Sequence, residues 1–321
     1  MPEPGAERPS LWFAAAASTC LALFVCFISA NFMGRHAHLG EVISQQFSIL
    51  QREQFTFNGG RVDVWELRNR ILVPIVLAGL SYVISPAHAF LVIRLATAWL
   101  MFFAFFMLTG SGRRWQSVML SVGFLIYVLL ISFAHDFEHP FDFPDIMFAI
   151  VFVWATLNDR PWWLLLAVIV ATLNRESSAF AGVIWWCLYR QRGSKDVLYA
   201  AGISAGAYAF ALWIRSHFIL PGPGPLRNRI TLFSIPRILR ETDITLFAWP
   251  MLLLLTAVPV LWWLWDLRET FSWQERRLII AGVLIMGITL LFGVPWEPRV
   301  LLPGWTVFIC AATMAERRRW A

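Results

Sequence analysis

Two stretches hold groups that can do chemistry. Residues 135–145 read HDFEHPFDFPD and carry Asp136, Glu138, Asp142 and Asp145 beside His135 and His139. Residues 173–177 read LNRES, so Arg175 and Glu176 sit between two almost unbroken apolar runs. Two more stretches repeat the pairing of carboxylates with arginines: VDVWELRNR at 62–70, with Asp63, Glu66, Arg68 and Arg70, and PWEPR at 295–299, with Glu297 and Arg299. Carboxylates can act as general bases or, when clustered, give oxygen ligands to a hard divalent cation such as Mg²⁺ or Mn²⁺. Guanidinium groups hold phosphates through paired charge-assisted hydrogen bonds. A base together with cations suits a displacement that releases an anion.

The elements that must position these groups are set by composition. Of 321 residues, 59% are hydrophobic and only 14% charged, with 18 tryptophans. The mean hydropathy is +0.63. A soluble domain carries about 25% charged residues. Apolar runs recur at 11–33, 89–108, 117–134, 197–214, 246–265 and 279–294, each near the ~20 residues a helix needs to cross a bilayer core. The pattern predicts an all-α, polytopic transmembrane bundle in a single integral membrane domain over residues 1–321. The first run is too long for a signal peptide and lacks a small-residue cleavage site, so it reads as a retained anchor. The net charge of +6 does not imply nucleic acid, because basic residues of membrane proteins gather in cytoplasmic loops. Cys20, Cys26, Cys187 and Cys310 lie in apolar runs without metal-ligand spacing and read as small buried side chains.

The basic stretches GSGRRWQ (110–116), NDRPW (158–162), YRQRGSK (189–195) and ERRRWA (316–321) mark the cytoplasmic side. If all four lie there, about ten spans follow, with both termini cytoplasmic. The crossings fall at 11–33, 87–109, 117–134, 146–157, 162–173, 178–189, 197–219, 246–265, 278–294 and 300–315. Residues 34–70 form a first external loop, 71–86 a short interfacial helix and 221–243 a further external loop containing Arg227, Arg229, Arg237 and Arg240. In this frame the acidic and arginine-bearing stretches all reach the outer face. The runs on either side of LNRES are too short to cross the full core, which puts that turn below the outer surface. An arginine facing lipid there costs about 2.5–3.5 kcal/mol, so Arg175 requires a carboxylate or a wet cavity.

Blander readings stand beside these. Arg175 can be a buried ion-pair member that pins two helices. Asp145 can be a helix cap, and the acidic loop can be merely solvated. HDFEH also fits an H-x-x-E-H zinc pattern, with Glu138 as base, although a third ligand is not evident. Arg94, in AFLVIRLATAW, reads as paired within the bundle or snorkelling, and His88 as interfacial.

The stretches RNRILVP (68–74), FDFPD (141–145), LNRES (173–177) and EPRVLLP (297–303), in this order around short helices, resemble those of the bacterial polytopic GT-C class. These are glycosyltransferases that use lipid-linked sugars. The resemblance implies transfer of a sugar from a polyprenyl phosphate donor to an acceptor at the outer face of the inner membrane. It implies a base in the first loop, Asp63 or Glu66, and catalytic carboxylates Asp142, Asp145 and Glu176. It also implies a metal at Glu138, Asp142 and Asp145. Arg68, Arg70, Arg175, Arg227, Arg229 and Arg299 would hold the leaving phosphate, with Asn174 and Glu297 also binding substrate. A transporter or flippase of a lipid-linked saccharide could use the same cavity for passage. The sequence shows no paired repeat of the kind many transporters carry.

Overall fold

The computed structural model describes residues 11–36, 42–44, 46–47, 55–57, 60–62, 71–109, 122–129, 141–189, 191–217, 245–292 and 301–319. Their helices are α1 (Leu11–His36), α2 (Leu72–Leu80), α3 (Pro86–Thr109), α4 (Asp142–Leu157), α5 (Pro161–Asn174), α6 (Phe180–Tyr189), α7 (Ser194–His217), α8 (Thr245–Asp266), α9 (Trp273–Phe292) and α10 (Leu302–Arg319). A 3₁₀ turn, Glu176–Ala179, joins α5 to α6. Residues 122–129 are also helical. The departure from helix is an antiparallel hairpin of β1 (Phe55–Phe57) and β2 (Gly60–Val62), with Phe55 opposite Val62. The all-helical reading omitted it, although the Asn58-Gly59 dipeptide between the strands is a strong hairpin signal in sequence.

Three helices are long and apolar enough to cross a membrane: Leu11–Ile28 of α1, Pro86–Leu108 of α3 and Ser194–Ile214 of α7. Helix α2 has 9 residues, a rise of about 14 Å, too short to cross. It leads into an exposed turn at Tyr82 and Val83 and packs on α3.

Local sequence explains the element ends. Pro161 opens α5, where its missing N–H removes no helical bond. Pro144 falls in the first turn of α4 for the same reason, so α4 begins at Asp142 rather than at 146. Asp159 follows α4 with φ 53°, and Gly193 precedes α7 with φ 136°. Asp tolerates the first conformation, and the second suits glycine.

The packing defines two ends of the bundle. At one end Arg192 pairs with Asp159 at 3.0 Å, and the Tyr189 hydroxyl donates to the Thr156 carbonyl at 2.5 Å. At the other end Asn174 Nδ2 donates to the Phe141 carbonyl at 3.1 Å. Helices α4 and α5 are therefore antiparallel, with α6 returning beside them. Pro303 and Val307 of α10 line one cleft with Asp145, Ala149 and Phe152 of α4, so α10 runs parallel to α4. The arginine-rich end of α10 thus shares the side of Asp159 and Arg192. There Arg318 bonds Glu275 and the Thr270 carbonyl, and Arg319 bonds Asp266. Helix α1 runs antiparallel to α3: Phe13 packs edge-on against Phe106, and Arg94 donates to the Cys26 carbonyl at 3.4 Å. Arg94 is buried, in keeping with pairing inside the bundle.

The main core centres on Phe102, Phe105 and Phe106 of α3 with Val153, Leu164, Ile285 and Val307. A smaller cluster joins Val42, Val73, Leu77, Ala89, Phe90, Ile93 and Phe141 at the end that holds Asn174. Cys26, Cys187 and Cys310 are buried thiols, as their apolar settings imply, but Cys20 is exposed, because it lies on a face of α1 that the bundle leaves uncovered. Helices α6 and α7 meet so closely that a Cβ on Gly182 would overlap the Ala200 carbonyl and Ser204 Oγ, whereas Gly202 faces open space. Gly182→Ala is accordingly expected to lower the unfolding temperature of the purified protein. Gly202→Ala should leave it unchanged or raise it, because alanine favours helix by about 1 kcal/mol. Equal losses in both variants would contradict this packing.

Candidate functional site

Helix α5 stops at Asn174 because Arg175 is extended, with φ −163° and ψ 152°. That break swings the Arg175 side chain across to the first turn of α4. Its Nη1 lies 3.3 Å from Asp145 Oδ2 and 3.8 Å from Asp142 Oδ1. The three residues are 7%, 5% and 1% exposed, respectively, so the bridge is largely desolvated. Removing one partner of such a buried pair costs about 3–5 kcal/mol, because the other is left uncompensated. Both aspartates also complement the positive end of the α4 dipole.

The turn after Arg175 adds hydroxyls. Ser177 Oγ donates to Asp145 Oδ1, leaving Oδ2 toward Arg175. Thr172 donates to the Val168 carbonyl at 2.7 Å, so Ser178 is the donor in its 2.9 Å bond to Thr172. Glu176 opens the 3₁₀ turn and is half-buried. Asn174 is 1% exposed, and its Oδ1 has no partner among the described residues.

From Asp145 and Ser177 a cleft runs between α4, α6, α9 and α10, walled by Phe152, Ile184, Ile285 and Val307. It has room for about one water molecule. Helices α4 and α5 have 16 and 14 residues, or roughly 24 and 21 Å. Both are shorter than the ~30 Å of a bilayer core.

Of the residues expected at a site, Asp142, Asp145, Asn174 and Arg175 come together, with Glu176 in the adjoining turn. Asp63, Glu66, Arg68, Arg70, Glu138, Arg227, Arg229, Glu297 and Arg299 lie outside the described residues, as do His135 and His139 of the zinc pattern. One reading changes: Asp145 is not a helix cap, because no side chain caps α4 and its carboxylate faces Arg175 and Ser177. Arg175 pairs with two carboxylates, one of the two settings expected for it. Ser177 was missed, although a hydroxyl two residues from a charged group inside an apolar run was a readable signal. The exposed His88 accepts or donates a 2.6 Å bond with Ser85 at the start of α3, an end position as expected.

The donor set fits a divalent cation poorly. Asp142 and Asp145 already face a guanidinium, which would repel a metal ion held between them. Among the described residues no group of three or more His, Cys, Asp or Glu side chains gathers. No protein-family model, curated protein or solved structure matches the chain.

The turn makes a ranked prediction. Ser177→Ala loses a hydrogen bond to a charged group, worth about 1.5–3 kcal/mol, whereas Ser178→Ala loses a neutral one worth about 1 kcal/mol. Equilibrium unfolding in detergent should show the larger loss for Ser177→Ala, and the reverse order would refute the assignment.

Proposed function

We propose that the protein is a membrane glycosyltransferase that takes a sugar from a polyprenyl phosphate donor and passes it to an acceptor at the outer face. With this goes a bacterial inner-membrane bundle of ten crossings, GT-C-like in layout, with both termini cytoplasmic. The observation that carries the reading is the buried Asp142–Arg175–Asp145 bridge at one end of the bundle, opposite the arginine-rich turns. An ionisable group at membrane depth is a functional group by default, and here a cation and two carboxylates share one small volume.

Asp145 is the carboxylate that lines the cleft, so it is the base. The acceptor hydroxyl gives its proton to Asp145 while its oxygen attacks the anomeric carbon. The bond from that carbon to the phosphate oxygen breaks, and polyprenyl phosphate leaves with the electron pair. Protonation of Asp145 removes one of the charges facing Arg175 as negative charge grows on the phosphate. The guanidinium can then serve the leaving group, as preorganised cations do. Asp142 keeps Arg175 in place throughout. Asp63, Glu66, Arg68, Arg70, Arg227, Arg229, Glu297 and Arg299 are proposed to complete the site from the loops. The cleft must widen to admit a sugar. Mg²⁺ or Mn²⁺ at Asp142 and Asp145 would require Arg175 to turn away, and no step is routed through it.

The break between α5 and α6 also supports a second reading, because discontinuous helices line the binding sites of transporters. A flippase would move lipid-linked saccharide without forming a glycosidic bond.

The test is release of polyprenyl phosphate from glycosylated polyprenyl phosphates by purified protein, with and without Mg²⁺ or Mn²⁺. Asp145→Asn should lower turnover by at least about 100-fold, the usual contribution of a general base, while donor binding persists. Full turnover in Asp145→Asn would remove the catalytic assignment. Lipid movement across vesicles with no new bond would favour the transporter.

A further inference from the structure

Gln46 lies between α1 and α2, in a segment that is helical at 42–44 and 46–47. Its side chain is fully buried, and neither Oε1 nor Nε2 has a hydrogen-bond partner among the described residues. A buried carboxamide with both ends unused is costly, and folded proteins retain few such groups. Val42, one turn earlier, belongs to the apolar cluster of Val73, Leu77, Phe90 and Phe141, and Phe47 packs on that cluster.

The same cluster touches the ionic bridge. Phe141 directly precedes Asp142, and its carbonyl accepts the Asn174 amide. Asn174 Oδ1 is also buried without a partner. Each carboxamide with an unused hydrogen-bonding atom thus adjoins a member of one cluster: Gln46 precedes Phe47, and Asn174 donates to the carbonyl of Phe141, which precedes Asp142 of the bridge. A carboxamide is neutral and offers a donor and an acceptor side by side. It matches hydroxyl groups, which are donor and acceptor at once, and it adds no charge toward a phosphate.

We propose that Gln46 and Asn174 form the hydroxyl-reading part of the site and bind the sugar ring of the donor. This rests on the glycosyltransferase reading and deepens it. The carboxylates and Arg175 handle the proton and the phosphate, while the two amides select the glycosyl group. Gln46 sits unsatisfied in the resting protein because its partners arrive with the ligand. A site built to bond hydroxyls also rejects ligands that lack them, so Gln46 should raise affinity for the glycosylated lipid over the bare one.

The experiment compares wild type with Gln46→Leu, an apolar substitution of similar size. Two quantities are read: the unfolding temperature without ligand, and the affinities for a polyprenyl phosphate hexose and for bare polyprenyl phosphate. Gln46→Leu should unfold at the same or a higher temperature, because no bond is lost. Its affinity for the hexose lipid should fall about tenfold, as expected for lost neutral hydrogen bonds, with the bare lipid unchanged. An unfolding temperature several degrees lower would show that Gln46 serves the fold and would overturn the proposal. Retention of the wild-type preference for the hexose lipid in Gln46→Leu would overturn the Gln46 assignment alone. A wild-type protein that binds neither lipid would refute the donor reading and this assignment with it.

Discussion

A guanidinium inside an apolar bundle is the constraint on which the rest of this structure depends. Arg175 lies in the middle of a long apolar stretch, and in that setting a bare charge is tolerated only beside opposite charge. The bundle supplies this from another helix. Asp142 and Asp145 stand in the first turn of α4, and α5 breaks after Asn174 so that Arg175 can reach them. Ser177 then takes the second oxygen of Asp145. The break, the antiparallel run of α4 and α5, and the start of α4 at an aspartate all serve one ionic contact.

Much of this was legible, for physical reasons. The two short arms around LNRES announced a buried turn by their length alone, and α5 and α6 occupy almost those arms. The long runs of α1, α3 and α7 are unmistakable because the bilayer imposes a minimum apolar length. The partner of Arg175 was not legible. It lies 30 residues away in sequence, and no local pattern distinguishes a carboxylate that caps a helix from one that meets an arginine. For the same reason Asp145 could be read as a cap and Ser177 passed over. The hairpin of β1 and β2 carried its Asn-Gly signal, but its three-residue strands are too short to show an alternating pattern. Gln46 had no signal at all, since a glutamine in a polar loop is ordinary until its burial is seen.

The two ends of the bundle differ in kind. At one, Arg192, Arg318 and Arg319 pair with Asp159, Glu275 and Asp266 beside exposed tryptophans such as Trp162 and Trp265, as at a membrane–water interface. At the other, among the described residues, Asp142, Asp145 and Arg175 are buried. The proposed sugar transfer is placed at the second end, where low dielectric would strengthen each contact with developing charge. The same low dielectric makes the bridge costly to break, so the site and the local fold are held by one interaction.

The most direct test is a double-mutant cycle at Arg175 and Asp145, read by equilibrium unfolding of wild type, Arg175→Leu, Asp145→Leu and the double variant. The account predicts that each single substitution is strongly destabilising. The double variant should lose less than their sum, with a coupling energy of about 1–3 kcal/mol. Losses that add to within about 0.5 kcal/mol would mean that the two side chains do not meet in the membrane-embedded protein, and would contradict the account at its base.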